Sequence, residues 1–280
     1  MSVRIITDST VDLPESKRQA VTAVPLPVRF GDEEFLDGVT LTKRQFYEKL
    51  AQSDALPTTS QASPASFQKV FEEVTRAGDT AVVITLSSKL SGTYQSACLA
   101  AEDYPGIFVV DSQSASTGSG VLAELALRLA DEGRTAVDIA ATLTEKRGDI
   151  CLIATLDTLE YLKKGGRISK TVAFAGGLLN IKPVISITDG AVVLEGKARG
   201  SRQGNNLLVQ KIREWGGIDF DLPILLGYTG LSDALLEKYV EDSQALWQEA
   251  GGVPESTMVC SVIGTHVGPG AVVASFFRKH

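Results

Sequence analysis

The sequence predicts an α/β fold in two lobes. Residues 1–148 read as an N-terminal three-layer lobe around a mostly parallel sheet, and residues 149–280 as a C-terminal lobe with a mixed sheet and helices. Two observations carry this. In the first half, short β-branched runs alternate with stretches of helical periodicity, the pattern of a parallel sheet covered on both faces. The second half opens with a hairpin signal, which an all-parallel sheet would not contain.

The runs at residues 3–7, 80–86, 107–110 and 150–155 are apolar, rich in valine and isoleucine, and short enough to be buried strands. Between them Phe67, Val70, Phe71 and Val74 fall at i, i+3, i+4 and i+7, the stripe of an amphipathic helix. Ser63-Pro64 supplies that helix with an N-cap hydroxyl and a proline at the first helical position. Residues 24–37, with Pro25, Pro27 and Gly31, read as an irregular hairpin or an edge insertion. Strands at 184–188 and 191–194 flank Asp189-Gly190, a dipeptide suited to a two-residue turn. A helix over 202–215, a strand over 224–228, a helix over 232–249 and a strand over 257–263 complete the chain. No proline- or glycine-rich linker marks the lobe boundary, and there is no internal repeat.

Composition narrows the function classes. The 280 residues are 44% hydrophobic and 22% charged, which suits a sizeable core. The net charge is −7, and the densest interior basic cluster, Lys163, Lys164 and Arg167, is short, so a nucleic-acid partner is not expected. Three cysteines, Cys98, Cys151 and Cys260, lie far apart in apolar contexts, which predicts reduced, buried thiols in a cytosol. The first residues run straight into a strand pattern without signal-peptide anatomy, and no apolar run is long enough to span a bilayer. The expectation is a soluble, cytoplasmic protein.

Hydroxyl-rich loops are the main candidates for chemistry. Pro57-Thr58-Thr59-Ser60-Gln61 precedes one helix, and Ser87-Ser88-Lys89-Leu90-Ser91-Gly92-Thr93 lies between a strand and another. Ser91 is a candidate N-cap, and Gly92 allows a ligand close to the backbone, so that free N–H groups and the helix dipole would favour an anion. Caps and turns alone account for the same residues. In Tyr161-Leu162-Lys163-Lys164-Gly165-Gly166-Arg167-Ile168-Ser169, expected to join two helical stretches, the glycines either cap a helix or hold Arg167 toward a ligand. His266 is the one histidine besides the terminal His280, in a glycine-rich segment expected to follow a strand. It suits a structural role more readily than a catalytic one, and a metal site built on several imidazoles is excluded.

Two other readings compete. Gly118-Ser119-Gly120 matches a dinucleotide fingerprint in its letters, but Ser112–Thr117 separate it from the preceding strand, whereas a working fingerprint starts in the turn after that strand. There is no phosphate-binding loop of the G-x-x-x-x-G-K-[ST] type. A serine hydrolase built from Ser91, His266 and Asp111 is the more serious rival, although no nucleophile elbow is present.

Taken together, Thr7-Asp8-Ser9-Thr10-Val11-Asp12-Leu13, the 57–64 and 86–97 segments, 161–169, Ile181-Lys182-Pro183 and the 265–271 segment fall in the order and spacing of the DegV family, and the chain resembles that family over nearly its whole length. The resemblance implies one long-chain fatty acid held in a tunnel between the lobes. It also implies a non-catalytic carrier subunit that presents the acyl carboxylate to the ATP-using catalytic subunit of fatty acid kinase, for phospholipid metabolism. By motif it puts Thr59 and Ser91 on the carboxylate, with Gly92 beside them. His266 and Arg199 resemble the family's polar residues around the mouth, and Arg167 matches the arginine of its G-G-R-I motif. It implies no catalytic residue, metal or cofactor, and transient contact with a membrane surface is compatible with it. Ala62 stands where the family more often has proline, and the 201–205 segment is less basic than usual, which bears on the alignment of Arg199. The open alternatives are a lipid or ester hydrolase using Ser91 and a binding module for a ligand that is not a lipid.

Overall fold

A computed structural model describes residues 2–168 and 180–280. In chain order the elements begin β1 (Val3–Asp8), α1 (Glu15–Arg18), β2 (Thr22–Val24), β3 (Pro27–Phe30), β4 (Glu33–Leu36), α2 (Lys43–Gln52) and β5 (Thr58–Thr59). Then come α3 (Pro64–Arg76), β6 (Thr80–Thr85), α4 (Thr93–Ala101), β7 (Ile107–Asp111), α5 (Ser116–Asp131), α6 (Ala136–Lys146), β8 (Ile150–Thr155) and α7 (Glu160–Lys164). The chain continues through β9 (Ile181–Thr188), β10 (Ala191–Arg199), α8 (Gly200–Glu214), β11 (Leu225–Tyr228), α9 (Ala234–Asp242) and α10 (Gln244–Glu249). It ends with β12 (Ser256–Met258), α11 (Ser261–Val267) and β13 (Val272–Phe277).

The first half forms the expected three layers. A four-stranded sheet runs β2-β1-β6-β7 with every pair parallel. Side chains alternate across a strand, so Ile6 and Val83 join Phe67 and Phe71 of α3 and Ala97 of α4 on one face. Ile5, Val82 and Ile84 meet Val121 and Leu122 of α5 and Ile139 of α6 on the other. The 24–37 segment holds the β3–β4 hairpin, which β5 joins to form a small sheet in the order β4-β3-β5.

The second sheet is six-stranded and mixed, in the order β10-β9-β8-β13-β11-β12. Its hairpin β9–β10 turns at Asp189 and Gly190, whose φ values of 49° and 77° are the left-handed pair that a two-residue turn requires. Helix α5 is shared between the sheets, because Leu225 and Phe277 of the second pack into the same core as Leu122. Gly118 and Gly120 lie inside α5, not in a turn after a strand. A side chain at Gly120 would meet the Asp12 carbonyl oxygen at 2.2 Å, so packing accounts for this pair.

Several expectations need correction. The 257–263 strand stops at Met258, and residues 261–267 are helical, because buried carboxylates from distant segments take the first N–H groups: Cys260 N donates to Asp12 and Ser261 N to Asp37. The 232–249 helix is broken at Ser243, whose hydroxyl donates to the Tyr239 carbonyl and accepts from Trp247 Nε1. Helix α4 begins at Thr93 with Gly92 in the cap position, so Ser91 is not its N-cap, although Ser91 Oγ still accepts the Thr93 N–H at 3.2 Å. Of the three free cysteines only Cys260 is buried; Cys98 and Cys151 are half-buried. Ser63 caps α3 as expected, accepting the Ser66 N–H. Ser169 and the helical stretch expected after it lie outside the described residues.

Candidate functional site

Helix α11, β5, the loop into α4 and one face of the six-stranded sheet enclose about 890 Å³ of atom-free space, open solvent at the mouth included. That is the range of a small-molecule site. Strand periodicity explains its wall. Leu152 and Ala154 of β8, and Ile185 and Ile187 of β9, are two apart and so face the cavity together, joined by Val192 and Val273. Ile153 and Val184 turn to the opposite face and pack under α8 and α9 with Leu208 and Leu236. Val262, Ile263 and Val267 of α11, with Leu86 and Leu90, supply the facing wall.

Polar groups in this lining are few, and several meet where β5, α11 and the loops before α4 and after α7 converge. Thr59 Oγ1 and His266 Nε2 lie 2.8 Å apart. Ser91 also lines the cavity, with its hydroxyl 2.9 Å from Thr93 Oγ1. Gln61, beside Thr59, donates to Ser96 Oγ at 2.9 Å. Gly92 is not itself a lining residue; it leaves room for Gln61, whose Oε1 would stand 2.0 Å from a side chain at that position. Arg167 reaches the lining and is braced by two carbonyls, with Nη1 donating to Gly165 at 2.6 Å and Nε to Leu90 at 3.3 Å.

Arg199 is not brought to this cavity. It sits exposed at the end of β10, where its backbone N–H donates to Gln203 Oε1. The cavity therefore gathers Thr59, Ser91, Arg167 and His266, with Gly92 packed against Gln61 of the same lining.

Burial, with the Arg167 guanidinium adding to it, pushes the His266 imidazole down to about 4. The ring is neutral at pH 7 and bears one N–H. Its Nδ1 has no hydrogen-bond partner among the described residues and faces Gly165, where a side chain would stand 2.3 Å away. A neutral imidazole, hydroxyls and a guanidinium are hydrogen-bond donors suited to a carboxylate head group.

The hydrolase arrangement is not assembled. The hydroxyl beside His266 belongs to Thr59, not Ser91. Asp111 accepts the N–H groups of Gln113 and Ser88 at the end of β7, with no bond to His266. Among the described residues no group of three or more His, Cys, Asp or Glu side chains is placed to hold a metal ion. Gln61 lies in the candidate 57–61 segment, but the sequence does not single it out as a lining residue and offers no local sign of the Thr59–His266 pair. Both depend on contacts between distant segments.

A family model described as "Uncharacterised protein, DegV family" matches residues 2–279. The chain belongs to the DegV family. A DegV domain-containing protein of Caldanaerobacter subterraneus subsp. tengcongensis is 35% identical over 288 aligned positions, covering 99% of each chain. Among solved structures, a fatty acid binding DegV family protein from Thermus thermophilus matches with a TM-score of 0.87 at 33% identity, over 99% of this chain and 100% of its own. A fatty acid (stearic acid)-binding protein from Eubacterium ventriosum matches with a TM-score of 0.85 at 28% identity, over 100% of this chain and 99% of its own. The two-lobed α/β architecture is thus that of solved DegV structures.

Proposed function

We propose that this DegV protein binds one long-chain fatty acid, its carboxylate at Thr59, Ser91 and His266 and its tail along the apolar face of β8, β9, β10 and β13. The observation that carries this reading is the asymmetry of the cavity: long apolar walls and hydrogen-bond donors gathered in one place. Similar proteins from Thermus thermophilus and Eubacterium ventriosum bind fatty acids, which supports it. Each buried methylene contributes about 0.8 kcal/mol, so a long chain supplies on the order of 10 kcal/mol before association and ordering costs are subtracted. Arg167, braced on the lining by the Gly165 and Leu90 carbonyls, adds favourable charge.

The protein acts as a carrier and not an enzyme. A bound carboxylate is a poor acyl electrophile until activated, and among the described residues the hydroxyl beside His266 is that of Thr59, not a serine set to attack an ester. Activation falls to a separate ATP-using fatty acid kinase subunit, to which the carboxylate is presented. Three free thiols fit the reducing cytoplasm in which that partner would work.

The test is solvent extraction of purified protein followed by mass spectrometry, with ester hydrolysis and ATP consumption assayed alongside. About one fatty acid per chain is expected, with neither activity in the isolated protein and acyl phosphate formed on adding the kinase and ATP. Robust ester turnover abolished by Ser91→Ala would replace the carrier by a hydrolase. No extracted lipid and no binding of added palmitate or oleate would remove the acyl reading.

A further inference from the structure

A second cavity of mixed character, about 720 Å³ with its open mouth, lies beyond the start of α11; Val11, Leu13 and Val39 line it beside Asp12, Asp37, Lys43 and Cys260. The 259–262 segment separates the two: Val259 and Val262 face the acyl cavity, and Cys260 faces the second one. Both carboxylates are almost fully buried, Asp12 at 1% and Asp37 at 3% exposure. Asp12 accepts the Cys260 N–H at 3.0 Å, the Lys43 ammonium at 2.7 Å and the Ser116 hydroxyl at 2.8 Å. Asp37 Oδ1 accepts the Ser261 N–H at 3.1 Å, while its Oδ2 has no hydrogen-bond partner among the described residues.

Removing a carboxylate from water is expensive unless its bonds are used. Here the bonds go to the first N–H groups of α11, the helix that carries His266. Helix α2 grips the same segment: Lys43 Nζ also donates to the Met258 carbonyl at 2.5 Å, Tyr47 donates to the Val259 carbonyl at 3.1 Å, and Phe46 packs where Gly264 leaves no side chain. We infer that Asp12 and Asp37 are positioning residues for the acyl site, fixing the start of α11 and through it the placement of His266 against Thr59. This rests on the fatty-acid reading for its consequence in binding, but the coupling from carboxylate to imidazole does not depend on the ligand.

The experiment uses the full chain in a His280→Asn background, so that His266 is the one imidazole, and records its ring nitrogen resonances without ligand. Palmitate affinity is measured in parallel, and thermal unfolding monitors the fold. Asp37→Asn keeps an acceptor but removes the charge, and Asp37→Ala removes both. Resonances displaced in both variants are expected, with affinity weaker by about threefold for asparagine and tenfold or more for alanine. Asp12→Asn should act in the same direction; if it fails to fold, the Asp37 pair carries the test. Resonances unchanged in folded Asp37→Ala would overturn the inference, whatever the melting temperature does. If the parent protein binds no palmitate, the acyl reading fails while the resonances still decide the coupling.

Discussion

Thr59 and His266 meet at 2.8 Å although 207 residues separate them. Thr59 ends a two-residue strand pinned to the β3 hairpin, and His266 lies near the end of α11. Their contact joins the small sheet of the first half to the last helix, and both residues line the apolar cavity. Removing the hydroxyl in Thr59→Ala should weaken fatty-acid binding by about 1.5–3 kcal/mol, the range for a bond to a charged group. Stability should change little, since Thr59 is half-buried and accessible to water. Ser91→Ala should lose a similar amount of binding and about 1 kcal/mol of stability as well, because Ser91 Oγ takes the Thr93 N–H at the start of α4. Displacement of a fluorescent fatty acid measures the first effect and thermal unfolding the second. Unchanged affinity in the double variant would move the carboxylate elsewhere.

Stability against pH should carry the signature of the half-buried His266 imidazole. His266 titrates near 4 in the folded protein, below its ordinary value of about 6.5. Between those values the unfolded chain holds a proton that the folded protein refuses, so stability falls as pH drops from about 6.5 toward 4. The gap corresponds to roughly 3 kcal/mol at the acid end. Asp8 works in the opposite sense: burial raises it to about 6, so folding favours its protonated form and stability rises as pH falls from there toward 3.8. The wild-type curve is therefore expected to be flattened. His266→Gln removes only the first contribution, so the stability difference between variant and wild type should shift in the variant's favour as pH falls. Urea midpoints from pH 4.5 to 7.5 provide the check, and a difference independent of pH would mean that His266 is not held neutral.

How much of this was legible in the sequence depends on how local the cause is. Residues 150–155 form a strand as their β-branched run predicts, and Asp189-Gly190 turns a hairpin because its two φ values are a local property. Ser63 and Pro64 start α3 for the same reason. The 257–263 segment misled because its apolar pattern suits a strand, while the carboxylates that turn it into helix stand 248 and 224 residues away. Ser243 interrupts a stretch whose periodicity runs through it, since the Trp247 indole that engages its hydroxyl is visible only once the helix folds. At the site, Thr59, Ser91, Arg167 and His266 share one cavity, yet no spacing along the chain announces that Thr59 faces His266. Arg199 shows the converse: it lies in a motif of the expected kind but on an exposed strand end.

Adjacent glycines should separate a positional effect from a backbone effect. Gly165 has φ of −73°, which alanine adopts freely, but a side chain there would stand 2.3 Å from His266 Nδ1. Gly166 has φ of +69° with nothing within 4 Å, so alanine meets backbone strain and no neighbour. Gly165→Ala should displace the imidazole and weaken fatty-acid binding several-fold, with overpacking costing about 1–3 kcal/mol. Gly166→Ala should cost about 1 kcal/mol of stability and leave affinity nearly unchanged. Equal affinities in the two variants would mean that His266 does not touch the ligand.

Tail length should be set by the strand wall. Ala154 is buried, faces the cavity, and is flanked by Ile185 on β9 and Val273 on β13. Its small side chain leaves room between two branched neighbours, so Ala154→Leu would place three added carbons where a tail runs. If those displace two or three methylenes at about 0.8 kcal/mol each, affinity for the longest accepted chains should drop by roughly 2 kcal/mol, some thirtyfold. A fatty acid shorter by about three carbons should bind the variant nearly as well as it binds the wild type. Ile187→Ala on β9 widens the same wall and should shift the preference toward longer or bulkier chains. The measurement is a dissociation constant for each member of a saturated series from ten to twenty carbons, with thermal unfolding to confirm the fold. The selective loss depends on where the tail lies. A uniform loss across all lengths would place Ala154 near the head group or act through global distortion, and no loss at any length would take the tail away from β8 altogether.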